Sequence, residues 1–392
     1  MNKSLILLFA IAGGAAVGNL YWAQPLLEAI AQQFGVNADS AGVLVTTTQI
    51  GCALGVLLLV PLGDLLPCHR LIPAVVFACV GALLLCALSP NFALLAAALM
   101  LLGMTSVAGQ ILIPLAGDLA DEKSRGQAVG TIVSGVLIGI LTSRTISGLF
   151  ADWFGWRSIY LFAAVVNLAL AIALWRKLPQ LAPRTQGSYT ALIGSVFGLV
   201  KQHAVVRVLL LMSAAIFAIF TLFWTALTFL LSAEPFHYST STIGFIGLAG
   251  LAGTLGARNS GKLFDKGWYV GGVGIAMAGV LISLGLGIAG ANNIAWLLSA
   301  IVLLDLAIQS LNVLNQTRLL SIDPTARSRL NTAFVCCNFI GGAIGSMFAG
   351  WLWHHAGWNG VMAGAFGLLA LSFALWFCFR HSLLKPSEKN TV

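Results

Sequence analysis

Gly18-Asn19-Leu20-Tyr21-Trp22-Ala23-Gln24-Pro25-Leu26-Leu27-Glu28 lies inside an apolar run from Leu5 to Phe34. That run exceeds the roughly 20 apolar residues a helix needs to cross a bilayer. In hydrocarbon, a buried amide or carboxyl without a partner costs about 2–7 kcal/mol by transfer scales. The polar groups of this stretch should therefore face protein or a water-filled cavity. On a continuous helix, Tyr21, Gln24 and Glu28 fall within about 60° of one another, and Asn19 and Trp22 form a second face. Pro25 removes a backbone donor between them. The stretch reads as one wall of a polar-aromatic pocket, with a proline-kinked packing seam as the alternative.

The whole chain shares this character. Of its 392 residues, 59% are hydrophobic and only 8% charged, against about 25% charged in soluble domains. Twelve apolar runs are long enough to span a membrane: 5–33, 41–62, 71–89, 92–117, 127–151, 157–176, 205–231, 240–261, 268–289, 293–319, 328–353 and 357–379. The longest polar interruption, Arg176 to His203, separates six spans from six. The expected organisation is a bundle over 1–176, a cytoplasmic linker over 177–204 and a second bundle over 205–392. The opening run could pass for a signal peptide, but it continues to about residue 34 and its pattern recurs later.

Charge placement sets the orientation. With the N-terminus inside, Lys3, Arg70, Arg125, Arg176, Lys177, Lys201, Arg327, Arg329 and Arg380 all fall in cytoplasmic loops and ends, while the outside loops hold Arg157. The net charge of +8 is thus a topology signal that suits an anionic inner leaflet, not a nucleic-acid footprint. A multi-pass protein of the cell inner (plasma) membrane with both termini cytoplasmic is expected. Nearly all of the seven cysteines sit in apolar runs, with no CxxC or Cys/His cluster, which argues against a disulfide framework or a metal site. No cofactor fingerprint, P-loop or catalytic triad occurs, so no cofactor and no enzyme activity are expected.

The two halves repeat. Leu20-Tyr21-Trp22 returns as Leu222-Phe223-Trp224, 202 residues on. Leu62 and Asp64 return as Leu263 and Asp265, 201 residues on. From Ser124 to Tyr160 a gap-free shift of 202 pairs Arg125 with Arg327, Gly139 with Gly341, Gly148 with Gly350 and Gly155-Trp156 with Gly357-Trp358. The expected fold is all-α and polytopic, with twelve transmembrane helices in two pseudo-symmetric six-helix bundles. This is the parallel-repeat plan of transporters, whose site lies between the bundles near the midplane.

These residues resemble the major facilitator superfamily, nearest its twelve-helix drug–proton antiporters, over essentially the whole chain. The family's loop motif after span two, Gly-x-Leu-x-Asp-Arg-x-Gly-Arg-Arg, is similar to Val60-Pro61-Leu62-Gly63-Asp64-Leu65-Leu66-Pro67-Cys68-His69-Arg70, which keeps Leu62 and Asp64. The second copy, Gly261-Lys262-Leu263-Phe264-Asp265-Lys266-Gly267, is closer. Asp152-Trp153-Phe154-Gly155-Trp156-Arg157 resembles the family's exit from span five. The resemblance implies that Asp64 and Asp265 act as gates that hold helix ends together. The antiporters' fifth-span pattern, Gly-x-x-x-Gly-Pro-x-x-Gly-Gly, appears as Gly139 to Gly148 with Arg144 in place of the proline. Arg144 lies roughly 25 Å along its helix at 1.5 Å per residue. At that depth it needs a partner or water, and Glu28 is the expected one, as a gating or structural ion pair.

Span ten stacks Asp305, Gln309, Asn312 and Gln316 at i, i+4, i+7 and i+11. Such a stripe is stable in a membrane only if it is wet or internally paired. The repeat places Gln110 opposite Asn312, and span seven adds Phe217, Phe220 and Trp224. In the family that the chain resembles, spans one, four, seven and ten line the cavity. Tyr21, Gln24, Gln110, Phe220, Trp224, Gln309 and Asn312 are therefore the candidate solute contacts. Asp305 falls near the midplane, where desolvation disfavours the charged carboxyl, which suits it to proton coupling. The leading expectation is proton-coupled efflux of small amphipathic or aromatic compounds by alternating access. Alternatives are transport of a small anionic metabolite through Arg144, or a non-transporting sensor or inactive relic. Expected partners are a small-molecule solute, protons and the lipid bilayer, with no nucleic acid, and the expected state is a monomer.

Overall fold

The computed structural model describes residues 2–121, 124–180, 188–251, 264 and 267–381. Among the described residues there is no strand, and nine helices are long and apolar enough to cross a membrane. One of them, Arg327–Phe379, carries spans eleven and twelve, and the shorter apolar helices Lys3–Gly18 and Thr240–Gly250 belong to spans one and eight. Helix thus occupies each of the twelve expected runs, as the all-α polytopic reading requires.

Span one departs from the continuous helix. Its α-helix runs over Lys3–Gly18, and a second one over Leu27–Phe34. Between them the chain tightens into turns and the 3-10 segment Gln24–Leu26, with Pro25 at its start. The bonds there reach back three residues, as in Tyr21 N–H to the Gly18 carbonyl at 3.0 Å and Leu26 N–H to the Ala23 carbonyl at 3.0 Å. The proline explains the change, because it has no N–H and its ring crowds the preceding turn. Irregular backbone at membrane depth is stable only where protein covers it. Every residue from Asn19 to Leu27 is accordingly buried, and the Ser147 hydroxyl of span five donates to the Trp22 carbonyl at 2.6 Å. Span four is interrupted as well, between Phe92–Thr105 and Ala108–Leu119. Their repeat partners, Ala204–Ser232 and Ile294–Leu320, are unbroken.

Small residues set the helix spacing. A Cβ added at Gly139 or Gly135 of span five would overlap the backbone of Gly14 or Ala10 in span one. Gly341, which the 202-residue shift pairs with Gly139, lies equally close to Ala214 of span seven. Span two meets span four in the same way, through Gly51, Gly55 and Gly103. Backbone contact of this kind brings helices together where no hydrophobic effect drives them.

Two glycines with positive φ turn the chain from the fifth span of each half into the sixth. Gly155 (φ 81°) ends Arg125–Phe154 just before Arg157–Lys177. Gly357 (φ 58°) divides Arg327–Phe379. An L side chain is strained in that region of φ/ψ space.

The chain divides into two compact units, Met1–Ile193 with Tyr238–Leu248, and Gly194–His237 with Ala249–Val392. The first unit takes in the outer part of span eight because Thr240–Ile246 packs along span five. Within the expected linker, Tyr189–Gln202 forms a helix. Val196 and Leu199 are buried on it and Phe197 is exposed.

Gly139→Ala should lower stability by about 1–3 kcal/mol, the usual cost of overpacking. Gly130, with nothing within 4 Å of an added Cβ, supplies the control. Thermal unfolding of the purified protein in detergent should show a lowered midpoint for Gly139→Ala and no loss for Gly130→Ala.

Candidate functional site

In the first unit the break in span one presents Tyr21 and Gln24 to span five. Arg144 is only 3% exposed. Its Nε donates to Gln24 Oε1 at 2.8 Å, and its guanidinium carbon stands 4.9 Å from the Tyr21 ring centroid, within cation–π range. Glycines of span eight leave room for the arginine stem. A Cβ at Gly247 would lie 3.0 Å from Arg144 Cδ, and one at Gly244 would collide with the Arg144 carbonyl. Thr145 Oγ1 donates to the Gly244 carbonyl at 3.1 Å, and Asp152 Oδ2 accepts from the Ser241 N–H at 2.9 Å. The Arg144 bond also fixes the Gln24 amide, since its oxygen must face the donor. The Gln24 nitrogen is buried and makes no hydrogen bond among the described residues.

Glu28, the partner expected for Arg144, instead accepts from the Gln32 amide at 3.1 Å, one turn along its own helix. The expectation assumed a continuous helix. The turns from Asn19 to Leu26 put Gln24 rather than Glu28 opposite span five.

A second polar group ties the breaks together. Asn19 Oδ1 accepts from the Trp22 indole at 2.9 Å, and its Nδ2 faces Cys79 Sγ at 3.3 Å and Asn167 Oδ1 at 3.5 Å. Cys79 in turn lies 3.7 Å from Ser106 Oγ, at the interruption of span four. Asn167 and Ser106 escaped the sequence reading, because each is a lone polar residue with no periodic companion. Beside this cluster, a cavity of about 500 Å³ runs between spans one, five and six, with Asn19, Trp22, Thr142 and Asn167 among otherwise mostly apolar or small lining residues. Tyr21, Gln24 and Arg144 do not line it.

In the second unit, Asp305 is 5% exposed, and the Trp224 indole donates to its Oδ1 at 3.1 Å. The rings of Phe217, Phe220 and Trp224 follow one another along span seven at 5.6 and 6.3 Å between centroids, and Phe339 closes on Phe217 at 5.9 Å. Further along span ten, Asn312 Oδ1 accepts from Asn338 Nδ2 at 3.2 Å, and Gln316 Nε2 donates to Asn331 Oδ1 at 2.8 Å. The stripe on span ten therefore has polar partners on span eleven, a neighbour that periodicity on one helix cannot reveal. Gln110 and Gln309 are half-buried. Asp64 is half-buried in the short helix Leu62–Leu65, and Asp265 lies outside the described residues.

Broken and unbroken spans of this length, with polar groups held at mid-membrane, define a polytopic helical protein of the transporter class. The model of the Major Facilitator Superfamily matches residues 8–322, and the chain belongs to that family. It is 41% identical over 377 residues to the uncharacterized transporter YgaY of Escherichia coli O157:H7, covering 96% of both chains. It is 27% identical over 358 residues to a Helicobacter pylori (strain HPAG1) protein named "Probable sugar efflux transporter", covering 88% of both. The crystal structure of a bacterial homologue of the human lysosomal transporter Spinster superposes with a TM-score of 0.80 at 14% identity, covering 99% of this chain and 100% of that one. That likeness shows the fold. The protein is a multi-pass membrane transporter of small molecules and not an enzyme.

Asn19→Ala should destabilise the protein by about 1–3 kcal/mol, because it strands the buried Trp22 indole N–H. The check is the thermal midpoint read from tryptophan fluorescence. An unchanged midpoint would remove Asn19 from the structural account.

Proposed function

We propose that the protein is a proton-coupled exporter of small amphipathic or aromatic compounds, working by alternating access. The observation that carries this reading is the 3.1 Å bond from Trp224 to the buried carboxyl of Asp305. Trp224 ends the aromatic run Phe217-Phe220-Trp224, a surface suited to flat apolar solutes. A solute resting on that run displaces or strengthens the indole bond, and so changes the affinity of Asp305 for a proton. Binding and protonation are then linked in both directions. The efflux name borne by the Helicobacter relative supports the direction of transport.

In this reading Tyr21, Gln24, Gln110, Phe220, Trp224, Gln309 and Asn312 meet the solute, and Asp64 and Asp265 gate the cytoplasmic ends. Two six-span halves work as a monomer in a bacterial inner membrane, with both termini in the cytoplasm. The basic residues of the alternate loops support that orientation, and the bacterial relatives support the location.

Everted membrane vesicles with an imposed pH gradient test the coupling, with ethidium as the aromatic cation and a panel of neutral aromatic compounds beside it. Wild type should accumulate at least one of these faster when the lumen is acidic. Asp305→Asn should abolish the gradient-driven component and keep solute exchange without a gradient, and Asp305→Glu should keep both. Wild-type transport at the same rate with and without a gradient would overturn the coupling.

A further inference from the structure

We infer that Gln24 and Arg144 form a binding site for the carboxylate of the transported solute, so that the substrate class is small aromatic carboxylic acids. The inference deepens the proposed function and rests on its solute-export part alone.

The argument starts from Gln24. Its side chain is 2% exposed, and its amide orientation is not free, because Oε1 accepts from Arg144 Nε at 2.8 Å. That leaves Nε2 as a buried donor with no acceptor among the described residues. A donor buried without an acceptor carries its full desolvation penalty, about 1–3 kcal/mol. Such groups are rare in folded proteins and concentrate where a ligand completes the set. Nε2 is also placed by structure rather than by chance. Pro25 and the 3-10 turn Gln24–Leu26 hold the backbone, and the arginine holds the side chain.

The chemistry of the surroundings then selects the ligand. The guanidinium is a planar fork of donors, and the Gln24 nitrogen adds another beside it. A hydroxyl brings its own donor to a cluster already rich in donors. A carboxylate brings only acceptors and matches both groups, with the geometry for which arginine is the usual partner. The positive charge offsets the cost of taking an anion out of water. Tyr21, whose ring lies 4.9 Å from the guanidinium carbon, adds an aromatic surface next to the charge. The stem of Arg144 is confined by Gly244 and Gly247, so the fork is aimed rather than mobile. An acid with a flat apolar body uses all of these features at once.

The test uses full-length protein in detergent and in nanodiscs. Benzoate, phenylacetate and cinnamate are compared with their carboxamides, and glucose and lactose are included as hydroxyl-rich probes. Ligand-dependent thermal stabilisation gives apparent affinities. At least one acid should stabilise wild type at a concentration at which its amide and the sugars do not. Gln24→Glu keeps an acceptor for Arg144, and therefore the fold, but replaces the free donor with a negative charge. It should weaken acid binding at least tenfold, or about 1.4 kcal/mol, with no loss of basal stability. Arg144→Lys should weaken it similarly, because a point charge cannot reproduce the fork. Equal stabilisation by acids and amides, stabilisation by sugars alone, no response to any probe, or wild-type acid affinity in Gln24→Glu would each overturn the assignment. Acid binding that survives Asp305→Asn while gradient-driven transport fails would leave this inference standing and remove proton coupling.

Discussion

A backbone that leaves the α-helix inside a membrane must find other partners for the groups it frees, and the first half of this protein is built around meeting that demand. Span one opens between Gly18 and Leu27. In hydrocarbon each freed carbonyl or N–H would cost several kcal/mol. The chain recovers part of this with three-residue bonds, and span five supplies Ser147 for the Trp22 carbonyl. Asn19 then gathers Trp22, Cys79 and Asn167 around the break. The close approach of Gly14, Gly135 and Gly139 brings span five near enough for these bonds. The packing of small residues and the satisfaction of polar groups are therefore one constraint, and Arg144 reaches Gln24 only because that constraint is met.

The two halves answer the same plan differently. Spans seven and ten run unbroken through the positions at which spans one and four open. The second half keeps its backbone bonded and places its polarity on side chains, with Asp305 held by Trp224 and the amides of span ten held by span eleven. Discontinuous helices in transporters commonly aim backbone and side-chain dipoles at solutes and ions. The division of labour that follows is a donor-rich cluster at Gln24 and Arg144 and a titratable one at Asp305.

Much of this was legible in the residues. Apolar runs set the number of spans, and the 202-residue echo paired Gly139 with Gly341 before either was seen to be a packing contact. Pro25 marked the kink in span one. Its consequence was not legible, because a helical wheel assumes an unbroken helix, and Glu28 was accordingly set against Arg144 where Gln24 stands. The interruption at Ser106 carries no proline at the break and left no local signal. The helix Tyr189–Gln202 did leave one, in the spacing of Leu192, Val196 and Leu199, but basic and turn residues around it made the stretch read as linker. Partners such as Asn338 and Asn167 are fixed by tertiary contact, which single-helix periodicity does not encode.

Gly155 and Gly357 join the last two spans of each half with almost no intervening chain. A joint that short transmits force. Any tilt of span five or span eleven must drag the neighbouring span with it, since no slack exists to absorb the displacement. Each pair behaves as a stiff elbow, and the outer corners of both elbows lie beyond the reach of a protease, which needs several residues of extended chain to cut.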